Sequence, residues 1–510
     1  NLLITLSSTT LLIIAVCSFN YLTKTSSQIT TESERVKYEK FINEHEYSQI
    51  RYTQDEISEM PKRDRPDLAW EQDFLATMNP SLGYPEKEKL TPVLAMTKTM
   101  QQNPISAAPG NAGSPWVERG PDNVGGRTRG LAWDPTTANK VWAGSVTGGL
   151  WVNNNITSAA SSWQAVNDFW DNIAVTAIAF DPNNVNTMYV ATGEGWGGGG
   201  TSSRGAGMWK STNGGTSFIQ LASSAGFYYV NDLLVRNEGG TSVVYAAVVR
   251  SYYQGVWHGS GEGVQRSTNG GTSWTNVFTD GTYHPTDLDL SGNNTLFVGT
   301  DGGKIFNSTN GTTYTLRYTN PSGAGRVNLA CAPSDANYIY AVLERSAVVN
   351  KVIRTTNGGT SWVTRTEPND DDGGIPAADF SRNQAWYDLT IDVDPNNRDV
   401  VMIGGIDLFK TTDGAGSWGQ MTHWYGGFGH QEVHADQHAI VYKPGSSSEV
   451  IFGNDGGVFY TSNGTNTTPT INSRIDGYNV TQYYACAIHP TAGTNYFLAG
   501  AQDNGSQRYN

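Results

Sequence analysis

The phrase RSTNGGTSW, residues 266–274, recurs along this chain. It returns as KSTNGGTSF from Lys210, NSTNGTTY from Asn307, RTTNGGTSW from Arg354 and KTTDGAGSW from Lys410, with a worn copy, YTSNG, from Tyr460. From Ser211 to Thr461 there are five intervals over 250 residues, a mean period of 50. Each period also carries a Gly-rich turn and a turn with Pro, such as AWDPTTAN, AFDPNNVN or DVDPNNRD. Asp followed by Pro is type I turn chemistry. Short apolar runs joined by three distinct turns at this period predict a four-stranded blade. The expected fold class is therefore all-β, a β-propeller of four-stranded blades. Seven complete units begin near residues 126, 173, 229, 283, 326, 386 and 433, and an eighth, from about Gln482, is cut off.

Composition agrees with a repetitive, turn-rich chain: 510 residues, with 58 Gly, 15 Trp and 25 Tyr and only 16% charged. A net charge of -14 argues against a nucleic-acid partner. It suits a neutral or cationic ligand. The opening NLLITLSSTTLLIIAVCSF reads as the apolar part of a secretory signal without its basic start, residues 1–27. The expected location is secreted or on the outer cell surface. Residues 28–100 form an N-terminal helical segment, with helices over 33–60 and near 66–77, and 101–115 is a linker. The propeller occupies 116–510 and reads as incomplete at its C-terminus. An open ring would leave the edge of its first blade unpaired, which predicts poor solubility or strand borrowing. Three cysteines do not make a disulfide framework.

The repeated turn resembles the Asp-box, or BNR repeat, S-x-D-x-G-x-T-W, of sialidase-like propellers. Ser211 and Gly214 match it, as do Ser267, Gly270 and Trp274, then Thr355, Gly358 and Trp362, and finally Asp413 and Trp418. Their role is structural: a polar third residue bonds back to the loop, Gly supplies positive φ, and the aromatic packs between sheets. With WVERGPDNVGGRTRGLAWDP, VWAGSVTGGLWVNNN, YVATGEGW, HADQHAIVY, GNDGGVFY and AQDNG, residues 60–510 resemble secreted Bacteroidetes cargo of the type IX system. Such proteins are labelled glycosyl-hydrolase-like or sortilin (Vps10)-like. The resemblance implies an extracellular polysaccharide or protein partner. It also implies contact with the type IX secretion machinery through a C-terminal domain beyond Asn510. Xyloglucan-type hydrolases share the blade pattern and carry a catalytic Asp in a T-D-x-G-G turn of the first blade. The matching stretch here is SVTGG, with Val146 in that place. No sialidase-type Arg-Ile-Pro motif is present; Arg127 and Arg129 are the one suggestive pair.

Chemistry is expected on the face that carries the Gly-rich turns and the starts of the innermost strands. There the sequence collects Glu194, Asp301, Asp455 and Asp503 from turns, and Asp232, Asp287, Asp388 and Asp436 from strand starts. Asp before Gly also caps turns. A catalytic pair, if there is one, would be Asp436 with Asp455. Glu194, Trp196, Asp301, Trp424 and Asp503 are candidate ligand-binding residues, the tryptophans by stacking on sugar rings. In HQEVHADQH, residues 430–438, a period of two puts His430, Glu432, His434, Asp436 and His438 on one strand face. His434, Asp436 and His438 are therefore a candidate metal set, for Zn²⁺ by ligand type. Same-face neighbours are roughly 6.6 Å apart, so the strand would have to bend. NDDDGG, 369–374, lacks EF-hand spacing but could take Ca²⁺. Two readings lead at this point: a propeller that binds a glycan or protein ligand, and a glycoside hydrolase. A third is a structural or adhesive extracellular protein.

Overall fold

The computed structural model describes residues 120–509 except 168–169, 171, 196–202, 254–255 and 492, together with scattered residues before 120. The chain divides into two units, residues 1–90 and 91–510. In the first, positions 36–37, 40–41 and 44 are helical, as are 75 and 77 at the end of the second expected helix. The leader, the linker and most of the expected helical segment lie outside the described residues.

The second unit is a ring of seven four-stranded antiparallel sheets. Each blade starts at the channel with its innermost strand: Thr128–Trp133, Val175–Asp181, Tyr229–Glu238, Pro285–Leu290, Val327–Cys331, Thr390–Val393 and Gln437–Tyr442. Each innermost strand touches the next, and the seventh touches the first. Second strands such as Val141–Ser145, Leu296–Thr300 and Val450–Asn454 are buried along their whole length, because every blade is sandwiched between two others. Outer strands such as Thr275–Phe278 are partly solvated and correspondingly polar. The cores lie between blades: Ile403 and Phe409 of blade 6 pack with Ala330 and Val352 of blade 5.

Aspartates fasten neighbouring blades. Asp232 accepts the Leu288 backbone N–H (2.8 Å), Asp287 that of Leu329 (2.6 Å), Asp289 that of Cys331 (2.6 Å) and Asp392 that of Tyr442 (3.1 Å). Each bond crosses from one innermost strand to the next. Burial raises all four carboxyls, those of Asp289 and Asp392 to about 7. Asp232 and Asp287 are thus part of the ring's fastening rather than of an open acidic rim.

The repeated turn has one geometry in four copies. In blade 2 the Ser211 hydroxyl accepts the Gly215 N–H (2.9 Å), and Asn213 Oδ1 accepts the Ser217 N–H (3.0 Å). The same bonds recur in the turns headed by Ser267, Thr355 and Thr411, the last with Asp413. Gly214 and Gly215 sit at φ +67° and +81°. A Cβ on Gly215 would lie 2.2 Å from the Trp142 ring of the preceding blade, so the turn doubles as an interblade contact. The terminal aromatics pack on the blade before them, Trp274 edge-on to Phe227 at 5.6 Å and Trp362 against Tyr318 at 6.1 Å.

Blade 1 is not left open. Trp133, Val141 and Trp163 share a core with Ile451, Tyr460 and Tyr478. The Trp163 indole N–H donates to the Arg474 carbonyl (2.6 Å) and that of Trp133 to the Val441 carbonyl (3.2 Å). The expected bare edge is corrected: seven blades close by packing, without strand exchange. The eighth sheet, Tyr483–Ile488, Phe497–Ala501 and Ser506–Tyr509, lies outside the ring. Thr481 tethers it by donating to the carbonyls of Val124 and Gly125.

Candidate functional site

Arg127 and Arg129 alternate onto the channel side at the start of blade 1. Both reach Glu194 in the GEGW turn of blade 2, Arg127 at 2.9 Å and Arg129 through a short bond from Nε. Arg127 Nε lies 3.5 Å from Asp455 of blade 7. The Tyr387 hydroxyl donates to Asp455 Oδ2 (2.6 Å), and His438 Nε2 meets Oδ1 (2.7 Å). The two guanidinium groups lie 5.2 and 5.1 Å from the Tyr387 ring centroid. All of these residues are buried. Burial favours protonation of Glu194, but Arg127 and Arg129 outweigh it and the carboxyl sits below its usual range. Burial is likewise outweighed at Asp455, where His438 and Tyr387 donate hydrogen bonds and Arg127 supplies positive charge, and the carboxyl sits well below its usual range. Burial lowers His438 to about 4, so its neutral ring donates from Nε2. Asp388 is different: neither oxygen has a hydrogen-bond partner among the described residues, and burial pushes its carboxyl well up.

This cluster plugs the channel. The turn after Ala501 in the eighth sheet covers it: the Asn504 amide donates to the Asp455 carbonyl (3.0 Å), and His434 Nε2 meets the Asp503 carbonyl (3.0 Å). The space left among Arg127, Thr147, Asp455, Gln482 and Asp503 is about 20 Å³, room for one water and not for a sugar.

The expected histidine face is corrected. Asp436 adopts φ +65°, which breaks the two-residue alternation, and the regular strand begins only at Gln437. His430 bonds Asp371 (2.7 Å), His434 the eighth sheet and His438 Asp455. His434, Asp436 and His438 therefore form no common ligand set. Among the described residues, Asp436 instead joins Asp455 and Asp503, with one oxygen of each within 4.8 Å of the others. Asp503, also at positive φ (62°), is the more exposed member.

Asp301 is half-exposed and accepts both the backbone N–H and the ring of His284 (2.6 and 2.9 Å). His284 Nε2 lies 3.0 Å from Glu262. Burial lowers His284, but the two carboxylates outweigh it and raise the imidazole. Trp424 is half-buried, its ring perpendicular to that of Tyr425 with centroids 4.6 Å apart. Trp196 lies outside the described residues.

A feature the sequence reading missed is a groove of about 740 Å³ between residues 120–124 and the eighth sheet. Tyr483, Phe497 and Tyr509 supply aromatic surface, and Asp122, Gln507 and Arg508 supply polar groups. That mixture suits a sugar chain. The hairpin that forms one wall also carries Asp503 in its turn.

No family model matches the chain. A xyloglucanase of Hypocrea jecorina is 31% identical over 199 residues, 36% of this chain and 22% of that enzyme. The fold is similar to that of the GH74 xyloglucanase of Xanthomonas campestris, with TM-score 0.55 and 16% identity, over 74% of this chain and 58% of that one. An ancestral GH74 enzyme gives TM-score 0.52 and 19% identity, over 78% and 54%. The chain thus spans little more than half of these solved structures, and at such identities they show the fold. These likenesses lie on the glycosyl-hydrolase-like side of the resemblance. Its sortilin-like and type IX aspects rest on the motifs alone. Among the described residues, no helix is long and apolar enough to cross a membrane.

Proposed function

We propose that this propeller acts on an extracellular polysaccharide, as a glycoside hydrolase on a neutral, xyloglucan-like chain. The observation that carries this reading is the aromatic groove, one wall of which is the hairpin whose turn brings Asp503 to Asp436 and Asp455 of blade 7. The 31% identical stretch shared with a xyloglucanase supports the substrate class. In this reading the sugar rings stack along Tyr483, Phe497 and Tyr509, and Asp122, Gln507 and Arg508 bond their hydroxyls. Asp503, the solvent-reachable carboxyl, gives its proton to the glycosidic oxygen as the C–O bond breaks, Asp455 stabilises the positive charge at the anomeric carbon, and the water that adds there returns a proton to Asp503. For Asp455 to face a substrate, the turn at Gln502–Gly505 has to lift, carrying Asp503 with it, and the sugar enters between the two carboxyls. Export as a secreted or surface protein, with the type IX machinery as partner, belongs to the same proposal and rests on the motifs.

A second reading is glycan binding without hydrolysis. It is favoured by Asp122 being, among the described residues, the one carboxylate that lines the groove, and by Val146, buried where xyloglucan-type hydrolases place an acid. The test is a hydrolysis and binding screen on a polysaccharide panel, with Asp503→Asn and Tyr509→Ala beside wild type. Products that disappear in Asp503→Asn support the hydrolase. Binding that needs Tyr509, with no products, supports the second reading. Neither products nor binding refutes both.

A further inference from the structure

Away from the groove, three buried side chains from separate stretches converge beside blade 6. Asp370 comes from the long connection between blades 5 and 6, which also carries Tyr387 and Asp388 into the channel. Asp407 comes from the turn between Val401–Gly404 and Leu408–Thr411, and His423 from the short strand Thr422–His423 after the blade. One donor atom of each lies within 4.8 Å of the others.

We propose that Asp370, Asp407 and His423 bind one divalent transition-metal ion that pins this connection to blade 6. The cluster alone would not justify this; the state of its polar atoms does. Both ring nitrogens of His423 are buried without a hydrogen-bond partner among the described residues. Both oxygens of Asp407 are in the same condition; the carboxyl faces the Trp424 backbone N–H without an ordinary hydrogen bond. A buried polar group without a partner is destabilising, and here two whole side chains lie close together unsatisfied. Arg382 does not relieve them. Its guanidinium bonds Asp370 (2.8 Å) and Asp372 (3.2 Å).

The donor set selects the ion. One imidazole with two carboxylates and no thiolate suits Zn²⁺, Co²⁺ or Mn²⁺, whereas Ca²⁺ wants six or more oxygens. The His423 ring meets Tyr425 edge-on (4.1 Å) and Phe428 at a tilt (5.0 Å), contacts that limit its rotation. Three protein ligands leave one tetrahedral position for water. Ligand bonds of about 2.0–2.2 Å put tetrahedral donors roughly 3.4 Å apart, so side chains whose donor atoms lie within 4.8 Å of one another must draw inward to bind.

The test uses the purified full chain after chelator dialysis. Zn²⁺ is titrated by calorimetry, bound metal is counted by mass spectrometry, and Co²⁺ is added separately for its visible spectrum. We expect one Zn²⁺ per chain, a higher melting temperature with Zn²⁺, and the intense Co²⁺ absorption of a four-coordinate site. His423→Ala and Asp407→Asn should each weaken Zn²⁺ binding at least tenfold, and Asp503→Asn should not. The proposal is overturned if wild type binds no saturable equivalent. It is also overturned if both site variants bind as wild type does, or if loss follows Asp503→Asn instead. The wild-type measurements stand even if a variant fails to fold.

Discussion

Replacing Glu194 with Gln would keep the shape of the side chain and remove its charge. In the intact ring this carboxylate neutralises two buried guanidinium groups, Arg127 at 2.9 Å and Arg129 through a short bond. After the change Arg127 keeps Asp455 at 3.5 Å, and Arg129 keeps the Tyr387 carbonyl at 3.3 Å. Neither contact replaces a charge-assisted pair at shorter range. Removing one member of a buried ion pair costs about 3–5 kcal/mol, because the surviving charge stays desolvated. For a cooperative unit of roughly 390 residues the unfolding entropy is about 0.8 kcal/mol per degree, so melting should fall by about 4–6 °C. Urea unfolding followed by tryptophan fluorescence gives the free energy directly. Adding Arg129→Met to Glu194→Met should restore part of the loss. A Glu194→Gln change below about 1 kcal/mol would show that the cluster is open to water and refute the plug.

Three further outcomes follow. Asp289 and Asp392 are raised by burial to about 7, so between about pH 4 and 7 the folded chain holds protons that the unfolded chain has released. Stability should therefore fall as pH rises through that window, opposed in part by His438, which burial lowers to about 4. Melting scans should give a higher midpoint at pH 5 than at pH 8, and a midpoint that rises over this range would contradict the assignment. Gly215→Ala should cost about 2–4 kcal/mol, since the new Cβ combines a φ of +81° with a clash on Trp142; a loss under 1 kcal/mol in urea would mean that the turn yields. Tyr387→Phe removes a 2.6 Å bond to an ionised carboxylate and should cost about 1.5–3 kcal/mol by the same assay, with no loss meaning that Asp455 finds another donor.

The fold was legible because its signal is local and repeated. The Ser/Thr–Asn–Gly–Gly turn makes its own hydrogen bonds within a few residues, so the sequence alone displays it. The site was less legible because its partners are distant. Glu194 reads as a rim carboxylate until the ring brings Arg127 and Arg129, 65 residues or more away, against it. Asp232 and Asp287 look like a convergent acidic face, yet each bonds a backbone N–H of the next blade. HQEVHADQH alternates perfectly in residue type, but the positive φ at Asp436 ends the alternation in space. Asp370 and His423 stand in stretches noted for other reasons, an acidic loop and a Trp, and only the fold joins them to Asp407. The groove had no signal, since its walls are the segment at 120–124 and a sheet that begins some 360 residues later.

The most direct measurement is reducing-sugar release from xyloglucan by the purified chain, with Asp503→Asn beside it. The hydrolase reading expects release by wild type and at least a hundredfold less from Asp503→Asn, with the variant's melting temperature unchanged. Equal release by both would contradict the role given to Asp503, and no release by wild type from any polysaccharide would contradict the hydrolase reading itself.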